Sequence, residues 1–124
     1  MSAPNLVNVA TITAKSDSLL LTGTSATKLL ENTASSGKVI KVNSLVVANV
    51  DGSSAANITV GIYPQDDIAG TPVLIASTIS VPADATLVVI DKNMGYYLEE
   101  DTSIGVTASA ANDLTCHVTY EELS

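Results

Sequence analysis

Cys116 and His117 are the residue types best suited to nucleophilic chemistry in this chain, which has one cysteine and one histidine among its 124 residues. A cysteine nucleophile needs a base within hydrogen-bond reach, and a zinc site needs three or four ligands. The two residues lie side by side in a segment that alternates apolar and polar residues, Leu114 to Tyr120. Because neighbouring side chains of a strand point to opposite faces, we expect Cys116 in the core and His117 on the surface, with no shared catalytic or metal-binding role.

Carboxylates occur in three clusters: Asp66-Asp67, Glu99-Glu100-Asp101 and Glu121-Glu122. None has the ligand spacing of a known calcium-binding loop. A glycosidase needs two carboxyl groups that face each other across a sugar-sized cleft, commonly with aromatic walls, and the chain has neither Trp nor Phe. We therefore interpret the clusters as solvated charges of loops and strand edges. The sequence also lacks a glycine-rich phosphate loop, a Gly-x-Ser-x-Gly elbow and a Cys-x-x-Cys pair, so we predict no enzyme, no metal ion and no cofactor.

The elements that would position these residues are short strands. Val, Ile and Thr recur with a period of two, and turn residues interrupt them about every ten positions. This pattern predicts one all-β domain over residues 1–124, an antiparallel two-sheet sandwich of the jelly-roll or immunoglobulin-like kind with about 8–10 short strands. The predicted strands are Leu6 to Thr13, Leu19 to Thr22, Thr27 to Glu31, Lys38 to Asp51, Ala56 to Tyr63, Val73 to Val81, Thr86 to Ile90, Ser103 to Ser109 and Leu114 to Tyr120.

The run from Lys38 to Asp51 gives the clearest alternation. Its even positions from Ile40 to Val50 are mostly apolar and predict the buried face, so Leu45 and Val47 fall on the wetter face, where a neighbouring element or chain would cover them. The turn residues that follow predict a hairpin with the next strand. Tyrosine is enriched at interfaces, which adds the pair Tyr96-Tyr97. The candidate protein interface is therefore Leu45, Val47, Tyr96 and Tyr97.

The charge balance argues against nucleic acid as a partner. Thirteen acidic residues oppose five lysines and no arginine, for a net charge of −8, so phosphates would be repelled. The segment from Met1 to Leu6 lacks the features of a signal peptide, and no later segment is apolar for long enough to span a bilayer. We expect synthesis in a host cytoplasm and no membrane partner.

Three stretches of the sequence resemble small structural proteins encoded among the head and neck genes of tailed bacteriophages, especially phages of aquatic bacteria and cyanobacteria. They are Ser35 to Val39 with Asn43 to Gly52, Ile75 to Ile90, and Tyr97 to Ile104 with the ending Tyr120 to Glu122. The resemblance implies a virion protein, foremost a capsid decoration or cement protein that binds the major capsid protein as a homo-oligomer. A neck, collar or tail component is the close alternative.

Two other functions stay open at this point. One is a surface carbohydrate- or receptor-binding module that uses Tyr96, Tyr97, Asp66 and Asp67. The other is a hydrolase built on Cys116 with His117 or on the acidic pairs, which the divergence of neighbouring strand side chains disfavours.

Overall fold

β-branched runs separated by turn residues form nine strands in the computed structural model, which describes residues 6–124. The strands are β1 (Ile12–Leu20), β2 (Thr27–Asn32), β3 (Val39–Asn49), β4 (Ala56–Tyr63), β5 (Val73–Val81), β6 (Thr86–Ile90), β7 (Tyr96–Leu98), β8 (Thr102–Ala108) and β9 (Leu114–Leu123). Two 3₁₀ turns, Leu6–Asn8 and Lys92–Met94, are the only helical segments among these residues. None of the described helices is long and apolar enough to cross a membrane. Met1 to Asn5, part of the segment tested for a signal peptide, lies outside the described residues.

The strands form two antiparallel sheets that enclose one hydrophobic core. Sheet A has the order β1-β9-β3-β6, with β7 also paired to β3, and sheet B has the order β2-β8-β4-β5. The chain thus folds at the β4–β5 loop into a ribbon in which β4 pairs with β5, β3 with β6 and β7, β2 with β8, and β1 with β9. Rolling this ribbon adds the pairs β3·β9 and β4·β8. This is the topology of a jelly roll, so the predicted two-sheet sandwich is confirmed and its jelly-roll form is selected.

Strand β3 buries a different set of residues from the one that strict alternation predicts. The pairing of β3 with β9 shifts between Val42 and Ser44, which leaves Asn43 as the extra residue of a β-bulge. Ile40 and Val42 before the bulge face the core, and after it the odd positions do. Leu45 and Val47 are both 0% exposed, so their prediction as surface interface residues is wrong.

The predicted hairpin between β3 and β4 is also wrong. β3 has β9 on one side and β6 with β7 on the other, so no position beside it is left for β4. The turn after Asn49 instead carries the chain from sheet A to sheet B. Ala56, Ile58 and Val60 of β4 are buried, as the alternation of that strand predicts.

The strand limits are confirmed in the centre of the chain and wrong at its start. β5 and β6 have the predicted bounds, and β2 ends one residue later than predicted. In place of a strand from Leu6 to Thr13, the chain forms a 3₁₀ turn and enters β1 at Ile12. Of the predicted strand from Leu19 to Thr22, Leu19 and Leu20 form the end of β1, and the last two residues lie after it.

Candidate functional site

The Cys116 and His117 side chains lie on opposite faces of β9, as predicted. Cys116 is 0% exposed, and burial raises the pKa of its thiol to about 12, so the reactive thiolate is disfavoured. His117 lies on the outer face of sheet A, where its Nδ1 is 2.6 Å from Ser18 Oγ of β1. The two residues therefore do not form a nucleophile–base pair.

The Ser18–His117 contact was not visible in the sequence, because the β1·β9 pairing joins residues 99 positions apart. A serine hydroxyl beside an imidazole supplies two members of a hydrolytic triad, and the third is an acid that orients the ring. Within residues 6–124, no carboxylate forms a hydrogen bond with His117, and the pair sits on a sheet face. We interpret it as a cross-strand hydrogen bond of sheet A.

The acidic clusters of the loops bind backbone amides at one end of the sandwich. Asp66 accepts a hydrogen bond from the Ala34 amide at 2.9 Å, and Asp101 accepts one from the Asp66 amide at 3.0 Å. Glu100 accepts from the Gly37 amide at 3.3 Å. These bonds tie together the β2–β3, β4–β5 and β7–β8 loops. In the part of the chain that the structure describes, no group of three or more His, Cys, Asp or Glu residues is arranged to hold a metal ion.

The β4–β5 loop is fixed against the outer face of sheet B by a pair of glycines. Gly61 and Gly105 are directly opposite each other on β4 and β8. A Cβ atom at Gly105 would lie 2.5 Å from Tyr63 Cε1, so only glycine admits this ring. Beside it, the buried Ser103 hydroxyl donates to the Gln65 carbonyl at 2.8 Å and accepts from the Ile68 amide at 2.9 Å. These contacts anchor the β4–β5 loop to β8.

Tyr96 and Tyr97 border a shallow groove between β7 and the loop-side ends of β4 and β5. Tyr97 is 41% exposed, whereas Tyr96 is half-buried, and burial together with the nearby Glu99 raises its pKa. The groove has a volume of about 250 Å³ and is lined by Ile62, Tyr63, Pro64, Thr71, Val73, Tyr96, Tyr97, Glu99 and Thr102. Asp66 and Asp67, which the sequence grouped with the tyrosines, do not line it. Tyr97 is thus exposed where an interface residue must be, and its role there stays a prediction.

An apolar strip on β5 continues from this groove along the edge of sheet B. Val73 is 71% exposed, Leu74 48%, Ile75 40% and Ile79 42%; we call these four residues the β5 strip. Exposed apolar residues are ordinary when scattered, but four of the nine residues of this edge strand are large, apolar and exposed, which makes the edge a candidate interaction surface. The sequence pattern predicted β5 as a strand, but the candidate interface did not include any of its residues. The sequence does contain a feature that could have indicated the strip, because the run Val73-Leu74-Ile75 is apolar at three consecutive positions and does not alternate with polar residues.

No protein-family model and no curated protein matches this chain. The site must therefore be interpreted from its own residues.

Proposed function

We propose that the protein is a non-enzymatic structural component of a bacteriophage virion, most specifically a capsid decoration protein that binds the outer surface of the head through the β5 strip. The observation that carries this proposal is the strip itself, four exposed aliphatic side chains on one sheet edge. The jelly roll occurs in viral capsid proteins, which agrees with the proposal, but folds of this kind host many functions. The surface, not the fold, is therefore the basis of the argument.

The strip suits attachment that is repeated over a lattice. Covering the exposed part of one such side chain contributes about 1 kcal/mol, so the four together contribute about 4 kcal/mol. Association of two proteins costs an amount of this size or more in lost translational and rotational freedom. A weak contact of this kind becomes effective when several copies bind a symmetric surface together, as they do on a capsid.

The charge of the protein favours the outer surface of a particle. Its net charge of −8 repels packaged nucleic acid and keeps many copies soluble until they bind. The carboxylates at the loop end of the sandwich accept hydrogen bonds from the protein's own backbone amides. The net negative charge of the whole chain would steer the protein towards a basic region of a capsid protein.

Mass spectrometry of purified particles of the phage that encodes this chain tests the proposal. We expect the chain in intact particles, in a fixed ratio to the major capsid protein. Its absence from purified particles would refute a virion role. A copy number that matches a ring at the neck or tail, with the head surface unoccupied, would instead support the alternative of a neck, collar or tail component.

A matched pair of variants tests the strip. Ile75→Asp places a charge in the β5 strip and should abolish binding to heads that lack the protein, while the melting temperature stays close to that of the wild type. Val50→Asp is the control, because Val50 is 57% exposed and lies outside the strip, in the turn between β3 and β4. Equal binding of both variants would show that the strip is not the contact surface.

The groove favours a second candidate function, the binding of a carbohydrate. Three tyrosines border it, and aromatic rings pack against sugar faces, although its volume of about 250 Å³ is below that of ordinary ligand pockets. Glycan-array binding by the wild-type protein that is lost in Tyr97→Ala would support this function. An array without signal would exclude it.

A further inference from the structure

Strand β1 forms a regular edge of sheet A, and no strand among residues 6–124 pairs with its outer side. All nine of its residues, Ile12 to Leu20, pair with β9 without a register shift. The residues from Ile12 to Ser18 are all exposed. Such an edge presents a row of free amide and carbonyl groups to any strand that can pair with it.

The other three sheet edges, as far as residues 6–124 show, are irregular. The pairing of β2 shifts between Lys28 and Leu30, and that of β5 shifts twice, with Thr78 at a φ of 47°. The edge opposite β1 is divided between β6 and β7 by the 3₁₀ turn Lys92–Met94. Bulges and interruptions of this kind block the addition of a strand, so β1 is the edge that remains able to accept one.

The hydrogen bonds of β1 to its neighbour identify which of its backbone groups are free. Thr11 and Ser124 exchange both of their backbone hydrogen bonds at 2.9 Å, and the Leu21 amide donates to the Leu114 carbonyl at 2.9 Å. Such pairs recur at every second residue of an antiparallel ladder, so the odd-numbered residues of β1 face β9. The even-numbered residues from Ile12 to Leu20 direct their N–H and C=O groups to the open edge.

We propose that β1 pairs antiparallel with β1 of a second copy of this chain about a two-fold axis at Ser16, which joins the two A sheets into one continuous sheet. This register places Ile12, which is 62% exposed, opposite Leu20 of the second copy, which is 44% exposed. It places Lys15 opposite Asp17 of the second copy, and by symmetry the reverse. About ten backbone hydrogen bonds form, because every free group of the five even-numbered residues then has a counterpart.

The charges of β1 select this register against its neighbours. An axis at Lys15 would place two lysines directly opposite each other, and an axis at Asp17 would do the same with two aspartates. Like charges in directly opposed positions destabilise a strand pair. Both residues remain able to form the new contact. Lys15 Nζ is 3.1 Å from Glu122 Oε1 and still has N–H groups to donate. The Asp17 carboxylate accepts a hydrogen bond from Tyr120 Oη at 2.9 Å and still has lone pairs that can accept another.

The inference does not depend on the proposed virion role, because β1 and the β5 strip lie on edges of different sheets. The purified chain alone is enough to test it. In sedimentation measurements over a range of concentrations, we expect the 12.7 kDa chain to associate to twice that mass and no further. A monomer at every concentration would overturn the proposal, and this result would leave the head-binding surface untouched.

A charge swap tests the register. Lys15→Asp and Asp17→Lys should each raise the dissociation constant of the dimer roughly tenfold or more, because each replaces two attractive pairs by two repulsive ones. The double variant K15D/D17K should restore association to within a few-fold of the wild type. Lys92→Asp changes the charge by the same amount at the opposite edge and should leave association unchanged. A double variant as weak as either single variant would overturn the register.

Cysteine cross-linking gives a second measurement that does not require any variant to weaken the dimer. In the proposed pair the Cα atoms of the two Ser16 residues are about 5.5 Å apart, which is within the range that a disulfide spans. Under mild oxidation Ser16→Cys should form a covalent dimer, and the native Cys116 is buried and does not compete. Ala14→Cys is the matched control on the same strand and face, with its two copies about 13 Å apart. Equal cross-linking of the two variants, or none in either, would refute the two-fold axis at Ser16.

Discussion

Replacing Asn49 by alanine should separate the two sheets at one end of the sandwich. Asn49 ends β3 in sheet A and is 3% exposed. Its Nδ2 donates to the carbonyls of Ser54 and Val81, both at 2.9 Å, and its Oδ1 accepts from the Asp51 amide at 2.9 Å. The carbonyl of Val81 belongs to β5 in sheet B, so this side chain links the sheets where the chain crosses between them.

The size of the effect follows from the three hydrogen bonds that the Asn49→Ala variant loses. Each contributes about 1 kcal/mol net, so the free energy of unfolding should fall by about 3 kcal/mol. For a chain of this length 1 kcal/mol corresponds to about 4 °C, which predicts a decrease of about 12 °C in the melting temperature. This is a large part of the total stability of a small domain.

Calorimetry and urea unfolding would measure this decrease, with Asn93→Ala as the control. Asn93 is an exposed residue of the 3₁₀ turn Lys92–Met94, and its replacement should change the free energy of unfolding by less than about 0.5 kcal/mol. A decrease below about 3 °C for Asn49→Ala would refute the reasoning. It would mean that the three bonds do not hold the crossover.

Three further perturbations test other parts of the fold. Deletion of Asn43 removes the bulge residue and keeps both halves of β3 facing the core, so this variant should unfold cooperatively in urea, whereas deletion of Val46 should not; equal stability of the two deletions would contradict the assignment of the bulge. Burial by itself raises the pKa of Glu122, but hydrogen bonds from two lysines outweigh it and hold that pKa below 4.5. The carboxylate therefore contributes stability that is present above pH 4.5 and lost as the pH falls further. Glu122→Gln should flatten the acid side of a plot of melting temperature against pH, and an unchanged plot would contradict this. Gly105→Ala forces the Tyr63 ring away and should cost about 1–3 kcal/mol, with faster proteolysis of the β4–β5 loop; a melting temperature equal to that of the wild type would count against the glycine's role.

The local parts of this fold were predictable from the sequence. β5 and β6 have the predicted bounds because proline and charged turn residues mark their ends. The opposite orientations of Cys116 and His117 followed from the period of two alone. In each case one short segment contains all the information that the prediction needs.

The failures of prediction come from contacts between distant segments. No glycine or proline marks the bulge at Asn43, so an unbroken alternation placed Leu45 and Val47 on the wrong face. Strand β7 forms because it pairs with β3. Its three residues are too few for a periodic pattern, so it was not predicted from the sequence. The Ser18–His117 contact depends on the pairing of the first strand with the last, which no local pattern shows.

The interrupted edge of sheet A has a consequence for how far strand pairing extends. At that edge Asp91 caps the 3₁₀ turn by accepting from the Asn93 amide at 2.8 Å, and Gly95 leaves it with a φ of 60°. In the terms of polymer chemistry, the chain is a monofunctional unit, since it has one end able to form the backbone linkage and one that is already terminated. Pairing through β1 occupies the open edge of both copies, so association stops at the dimer and does not continue into a fibril.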